Sequence, residues 1–414
     1  MSRLVETVVP ARLGTGFRWL LASSWVSNLS DGLAIAAGPL LVASLTHDPF
    51  LIALAATVQW LPPLAFGLYA GVLADRLDRR RLVMVGNLLR VVVLVVLSAA
   101  VVTGPASIPV VLAMLFLLGL AEVLTDNTAA TLLPMLVHRH DLGAANSRLM
   151  TGFITVNQLA GPPIGAALFV VGSVWPFVTQ AVLVGLAAVL VSRIVLPAQT
   201  EEEEPRGHLR RDIVEGFRWT IHHAAVRTLV LTIFTFNITF GAAWSVLVLY
   251  ATQRLGLGEV GFGLLTTISA IGGLLGTLSY GWITRRLSLG NIMRVGLVIE
   301  TLTHLILAVV TTAWIAMVVF FVFGAHAFIW GTTSQTVRQR AVPSRLQGRV
   351  GSVNLVGVFG GMVIGSGIGG LLARQWGVTA PFWFAFAGSA IFVVLIWGQL
   401  THIAHADEET PAEV

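Results

Sequence analysis

The stretch GVLADRLDRRR, residues 71–81, sets six charged side chains, four of them Arg, into eleven positions. The 414-residue chain around it is 56% hydrophobic and only 11% charged, and its mean hydropathy is +0.85. A soluble chain of this length needs far more polar surface, so the bilayer is the medium in which the sequence makes sense. A charged block between long apolar runs then reads as a loop at the membrane face, with a crossing helix on each side.

With about 20 apolar residues per crossing as the ruler, the apolar runs fall at 18–45, 51–74, 82–102, 107–133, 149–172 and 175–197. They resume at 228–251, 260–284, 291–311, 313–337, 350–373 and 379–400. This pattern predicts an all-α polytopic membrane protein with twelve transmembrane helices. It divides into a six-helix bundle over 1–197, a cytoplasmic linker over 198–227, and a second bundle with its tail over 228–414. Within the linker, Ile213, Phe217 and Ile221 recur at i, i+4 and i+8, which predicts an amphipathic helix over 209–222 on the membrane surface.

Arg sets the orientation. It clusters before the first crossing, at 76–81, at 139–148, through the linker, at 285–286 and at 338–349, while the opposite loops hold only Arg254 and Arg374. Both termini and the linker are therefore expected in the cytoplasm. Residues 1–19 are basic but lack a small-residue cleavage site, and read as a retained tail. The net charge of +5 sits in these short loops, so nucleic acid is not an expected partner. The absence of Cys excludes disulfides and thiolate chemistry.

The two halves echo each other. GVLADRLDRRRLVMVG at 71–86 matches GWITRRLSLGNIMRVG at 281–296, and GPPIGAAL at 161–168 matches GSGIGGLL at 365–372. Two related six-helix bundles imply a pseudo-two-fold axis along the membrane normal and a cavity between the halves. Asp75 falls where a carboxylate would face the N-terminus of the eleventh crossing, whose free N–H groups carry partial positive charge. The repeat lacks this acid, because Arg285 stands in its place.

The opening stretch resembles the loop 2–3 signature of the major facilitator superfamily, G-x-L-x-D-R-x-x-R-R, through Gly71, Leu73, Asp75, Arg76, Arg79 and Arg80. LLPMLVHRHDLGAANSR at 132–148 and VPSRLQGRVGSVN at 342–354 resemble the bacterial exporters that include macrolide-efflux and enterobactin-export proteins. The resemblance implies the major facilitator fold. It also implies that Gly71, Asp75, Arg76, Arg79 and Arg80 act as a conformational latch favouring the outward-open state. Gly161, Pro162 and Gly165 resemble the G-P-x-x-G core of the antiporter signature in proton-coupled drug exporters.

Ionisable side chains inside crossings are costly in lipid and read as functional. Asp31 lies midway along the first crossing, and Glu122 and Asp126 lie one turn apart on the fourth. These three are the candidate proton-coupling residues, with Asp126 alternatively bracing Arg148. Glu300 and His304, i and i+4 on the ninth crossing, read as a helix-supporting pair. Arg90 reads as structural, reaching a carboxylate near the cytoplasmic end or snorkelling to the interface.

Aromatic and amide side chains are the candidate cavity lining: Asn28, Gln59, Asn157, Gln158, Phe236, Asn237, Phe240, Trp244, His326 and Trp330. Few fixed charges among them fit an amphiphilic small molecule. No acid–base–nucleophile set appears, so an enzyme is not expected, and neither is a metal or cofactor. The expected function is proton-antiport export of an amphiphilic compound of drug or macrolide type by alternating access, from a monomer in the bacterial inner membrane. The alternatives are dedicated export of an endogenous metabolite such as a siderophore, and a non-transporting receptor, which would need a sensory domain.

Overall fold

The computed structural model describes residues 11–196, 209–343 and 346–400. Among them are thirteen helices of 14 residues or more and no strand. In lipid each backbone N–H and C=O must find its partner within the segment, and the apolar runs satisfy this by coiling. The helices are α1 (Gly14–Leu45), α2 (Pro49–Arg76), α3 (Arg79–Thr103), α4 (Ile108–Leu136), α5 (Leu142–Val171) and α6 (Trp175–Ser192). They continue with α7 (Leu209–His222), α8 (Ala224–Trp244), α9 (Glu259–Thr284), α10 (Leu289–Val309), α11 (Ala313–Ala341), α12 (Gln347–Trp376) and α13 (Ala380–Ile396). Eleven are long and apolar enough to cross a membrane, and α13 is a shorter apolar helix in the place of the predicted twelfth crossing. The chain is a multi-pass membrane protein.

Polar residues mark where the helices start. Asp78 Oδ1 accepts the Arg81 N–H at 2.8 Å and caps α3, and Ser288 Oγ accepts the Asn291 N–H at 3.3 Å and caps α10. Asp78 and Ser288 hold the same place in the internal repeat. At the other ends, Gly104 (φ 93) closes α3 and Gly377 (φ 88) closes α12, in a left-handed conformation that only glycine adopts cheaply.

Two helices depart from simple expectation. In α5 the segment Phe153–Ala160 is wound more widely than an α-helix, with the Gly161 N–H reaching back to Val156 O. Pro162 and Pro163 follow directly and lack N–H groups, so the carbonyls one turn earlier lose their ordinary partners. Helix α7 forms over the predicted residues, but its apolar stripe is divided. Gly216 presses against the Arg349 carbonyl (2.5 Å for a built Cβ) and Glu215 pairs with Arg349 at 2.8 Å. Ile213 is half-buried, whereas Val214, Phe217 and Ile221 face away from the protein.

Contacts sort the chain into two compact units. One comprises Met1–His47, Val58–Glu202 and Gly258–Thr267; the other comprises Asp48–Thr57, Glu203–Leu257 and Ile268–Val414. In the first, Phe17, Leu20 and Leu21 of α1 pack with Val83, Leu132, Leu133 and Val191. Gly263 of α9 lies against Pro162 and Pro163 of α5, and the Thr267 hydroxyl donates to the Leu159 carbonyl at 2.9 Å. That carbonyl is one of those the prolines set free. In the second unit, Leu229, Ile233 and Phe236 of α8 pack with Met293, Leu297, Val337 and Val393. Gly361, Gly365 and Gly369 bring α12 directly onto the α8 backbone. The Thr57 and Ser366 hydroxyls meet at 2.7 Å, and Arg374 stands 3.7 Å from Asp48.

Candidate functional site

The first unit brings together one buried cation and three acids, of which Asp31 and Glu122 are partly buried and Asp126 is exposed. Asp31 sits midway along α1 and Arg90 midway along α3. The Arg90 guanidinium donates from Nη2 to Asp31 Oδ1 and from Nη1 to Ser27 Oγ, the latter at 3.2 Å. Ser27 and Asp31 are one turn apart, so one guanidinium fork grips one face of α1. Arg90 is only 4% exposed, so it reaches a carboxylate, one of the two expectations for it, and does not snorkel. A buried guanidinium without a counter-ion would cost several kcal/mol, and Asp31 offsets that cost.

Glu122 and Asp126 approach from α4. Both interact electrostatically with Arg90 and Asp31. Neither takes a hydrogen bond or an ion pair from the described residues, and Asp126 does not reach Arg148. With Arg90 and Asp31 neutralising each other, two carboxyl groups remain without a fixed counter-charge.

Small residues create this arrangement. A Cβ on Gly86 of α3 would strike the Thr125 hydroxyl of α4, so the two helices approach closely one turn from Arg90. A Cβ on Gly32 would meet Asn157 O at 2.5 Å and Gly161 Cα at 2.9 Å, and one on Gly165 would meet Leu33 O at 2.5 Å. Gly161 and Gly165 therefore clamp α5 onto α1 at the residues beside Asp31, and Pro162 is buried in the same contact.

The candidate lining residues fall into separate groups. In the first unit, Asn28 donates to Ser24 O at 2.8 Å, Gln158 donates to Asn157 Oδ1 at 2.6 Å, and Gln59 is exposed. In the second, Phe236 belongs to the hydrophobic core, and Asn237 donates to Ile233 O at 2.7 Å. Phe240 stacks on Trp244 and on Phe323, with centroids 4.4 Å and 5.7 Å apart. Trp330 lies beside Gly296 of α10, its indole N–H buried without a partner. His326 lies 3.9 Å from Glu300, so Glu300 pairs between helices and not with His304 on its own helix.

At the charged loop, Arg80 donates to the Ile194 carbonyl just beyond α6 at 2.8 Å, and Arg79 points at Met135 Sδ at 3.2 Å. These arginines thus tie together helices of one unit. Gly71, Asp75 and Arg76 continue the helical backbone of α2, and their side chains lie outside the described residues. A structural Arg90 reaching a carboxylate was expected near the cytoplasmic end; the carboxylate it reaches is Asp31, midway along α1.

Comparison with known proteins agrees with the architecture. The family model described as transmembrane secretion effector matches residues 6–413. The multidrug efflux pump Tap of Mycolicibacterium fortuitum is 30% identical over 391 residues, covering 88% of this chain and 90% of that protein. The enterobactin exporter EntS of Shigella boydii serotype 4 (strain Sb227) is 24% identical over 393 residues, 92% of each chain. Among solved structures, the nucleoside transporter NupG superposes with a TM-score of 0.71 at 13% identity, over 94% of this chain and 99% of that one. A bacterial homologue of the iron transporter ferroportin in its inward-facing state gives 0.71 at 17% identity, over 93% and 98%. The chain belongs to the transmembrane secretion effector family, membrane transporters of the major facilitator superfamily and not enzymes.

Proposed function

We propose that this protein exports an amphiphilic small molecule across the bacterial inner membrane, driven by proton entry, with both termini in the cytoplasm and the monomer as the working unit. The observation that carries the reading is the buried Arg90–Asp31 pair with Glu122 and Asp126 left without counter-charge. A proton is the simplest counter-charge for such carboxyl groups. Its binding changes the local net charge, and so the cost of enclosing the group in lipid. If one exposure of the site favours the neutral form and the other the ionised form, proton entry drives the alternation between them. Gly71, Asp75, Arg76, Arg79 and Arg80 bias which exposure is populated.

The test is export of a macrolide or a lipophilic dye from proteoliposomes under an imposed pH gradient. Export should collapse when a protonophore is added. Glu122→Gln should lose the gradient dependence, by roughly tenfold or more in rate, because it cannot carry the proton. Wild-type export that ignores the protonophore would overturn the coupling. The enterobactin-exporter relatives, similar over nearly their whole length, favour a second reading: dedicated release of an endogenous siderophore. A deletion strain that retains its own siderophore, with no change in sensitivity to any drug, would select that reading.

A further inference from the structure

The second unit encloses ionisable groups that the mechanism above does not use. Glu300 and His304 lie one turn apart on α10, and His326 faces them from α11. His326 Nε2 is 3.9 Å from Glu300 Oε2, too far for a hydrogen bond and within ion-pair range. His304 has no exposed surface, and His326 is 6% exposed. All four of their ring nitrogens are buried without a hydrogen-bond partner.

Apolar walls surround them. Trp244 of α8 stands edge-on to His304 at 6.1 Å, and Phe323 stands edge-on to His326 at 5.5 Å. A Cβ on Gly296 would come within 3.2 Å of His326 Nδ1, so the glycine makes room for the ring. Helix α13 contains no ionisable side chain, and α8 has only Arg227, at its first turn. Helix α9 brings Tyr280, whose hydroxyl engages Thr333 two turns from His326. Arg294 on α10 bonds to the Trp397 carbonyl away from the site. Arg338 lies three turns beyond His326 on α11. No Arg therefore neutralises Glu300.

A neutral imidazole carries one N–H donor and one bare nitrogen acceptor, and buried polar atoms of this kind are nearly always paired. Here a single proton satisfies both partners: a carboxylic acid O–H donates to Nε2, or an imidazolium N–H donates to the carboxylate. Either bond forms if the side chains close by about 1 Å.

The place of the cluster is also informative. Glu300 follows Arg90 by 210 residues, the same offset that relates Gly71 to Gly281 and Gly86 to Gly296. Gly86 admits the α4 helix beside Arg90, and Gly296 admits the α11 helix beside Glu300. The two halves thus carry ionisable clusters at equivalent positions, one centred on a cation and one on an acid.

We propose that Glu300, His326 and His304 form a proton-binding site in the second unit, with one proton held between Glu300 and His326 and His304 as its second acceptor. The site is independent of whether export is proton-driven, because it binds a proton at rest.

Infrared difference spectra of the reconstituted full-length protein, titrated from alkaline to acid pH, test it directly. A protonated-carboxyl C=O band should appear on acidification, vanish in Glu300→Gln, and reappear at a changed frequency in Glu300→Asp. His326→Asn should move the midpoint of that band by roughly tenfold or more in proton concentration, and His304→Asn should move it less. A carboxyl band indifferent to Glu300→Gln, or a midpoint indifferent to His326→Asn, overturns the site. Because no transport is measured, failure here is separate from failure of proton-coupled export.

Discussion

Asp31 and Arg90 show why a charge inside a lipid-spanning helix is best judged with its partner. Asp31→Ala leaves the guanidinium buried and unpaired, and should destabilise the protein by about 3–5 kcal/mol. The double variant Asp31→Ala/Arg90→Met removes both charges and should recover most of that loss. Thermal unfolding in detergent reads both effects, and equal instability of the single and double variants would show that the pair is not the cause. Asp31 was legible in the sequence because a lone acid in an apolar run stands out. That Arg90 would reach a carboxylate was one of two readings; that the carboxylate is Asp31 was not legible, because the two residues sit on different helices. The same limit applies to Glu300. Spacing along α10 points to His304, while packing between α10 and α11 delivers His326.

Most helices were legible to within a few residues, since length and hydropathy are the same constraint that lipid imposes. Helix α5, however, begins at Leu142, well before its predicted run, and α8 ends at Trp244, well short of its own. The amphipathic helix α7 was found at its predicted residues, because a 3.6-residue period is local information. Which side of α7 meets the protein was not, since Gly216 under Arg349 is a contact between helices. The close approach of α3 and α4 gives a sharp test of such contacts. Gly86→Ala places a methyl on the Thr125 hydroxyl and should cost about 1–3 kcal/mol. Adding Thr125→Ala removes the obstructing oxygen and should restore stability, since the next nearest atoms are 3.4 Å or more away. If the double variant is no more stable than Gly86→Ala alone, the approach of α3 to α4 is governed by something else.

A chain without cysteine is its own background for mapping sidedness. Single cysteines at Leu77 and Ser288, both exposed between helices, should react with a membrane-impermeant maleimide only from the cytoplasmic side. Cysteines at Ser107 and Thr311, exposed at the other ends, should react only from outside. The reverse pattern would invert the topology that the Arg distribution predicts. The same reporters examine the latch: Asp75→Asn should change the labelling rate of a cysteine placed at Gln59, and an unchanged rate would remove Asp75 from the control of state. The repeat was legible because it is written in glycines and charges. The inequality of its two copies, an Arg in one and a Glu in the other, acquires meaning only once Arg90 is seen buried and Glu300 largely enclosed.

The wide turns over Phe153–Ala160 also carry a message about register. Each residue beyond the α-helical complement rotates the following segment by about 100° relative to the preceding one. Before the wide segment, Gly152 faces the Trp25 ring; after it, Gly161 and Gly165 face Gly32 and Leu33. One helix thereby presents two differently aimed sides to α1. Deleting a single residue within 153–160 would be a change of phase more than of length. A chain so altered would keep one of those two appointments with α1 and miss the other.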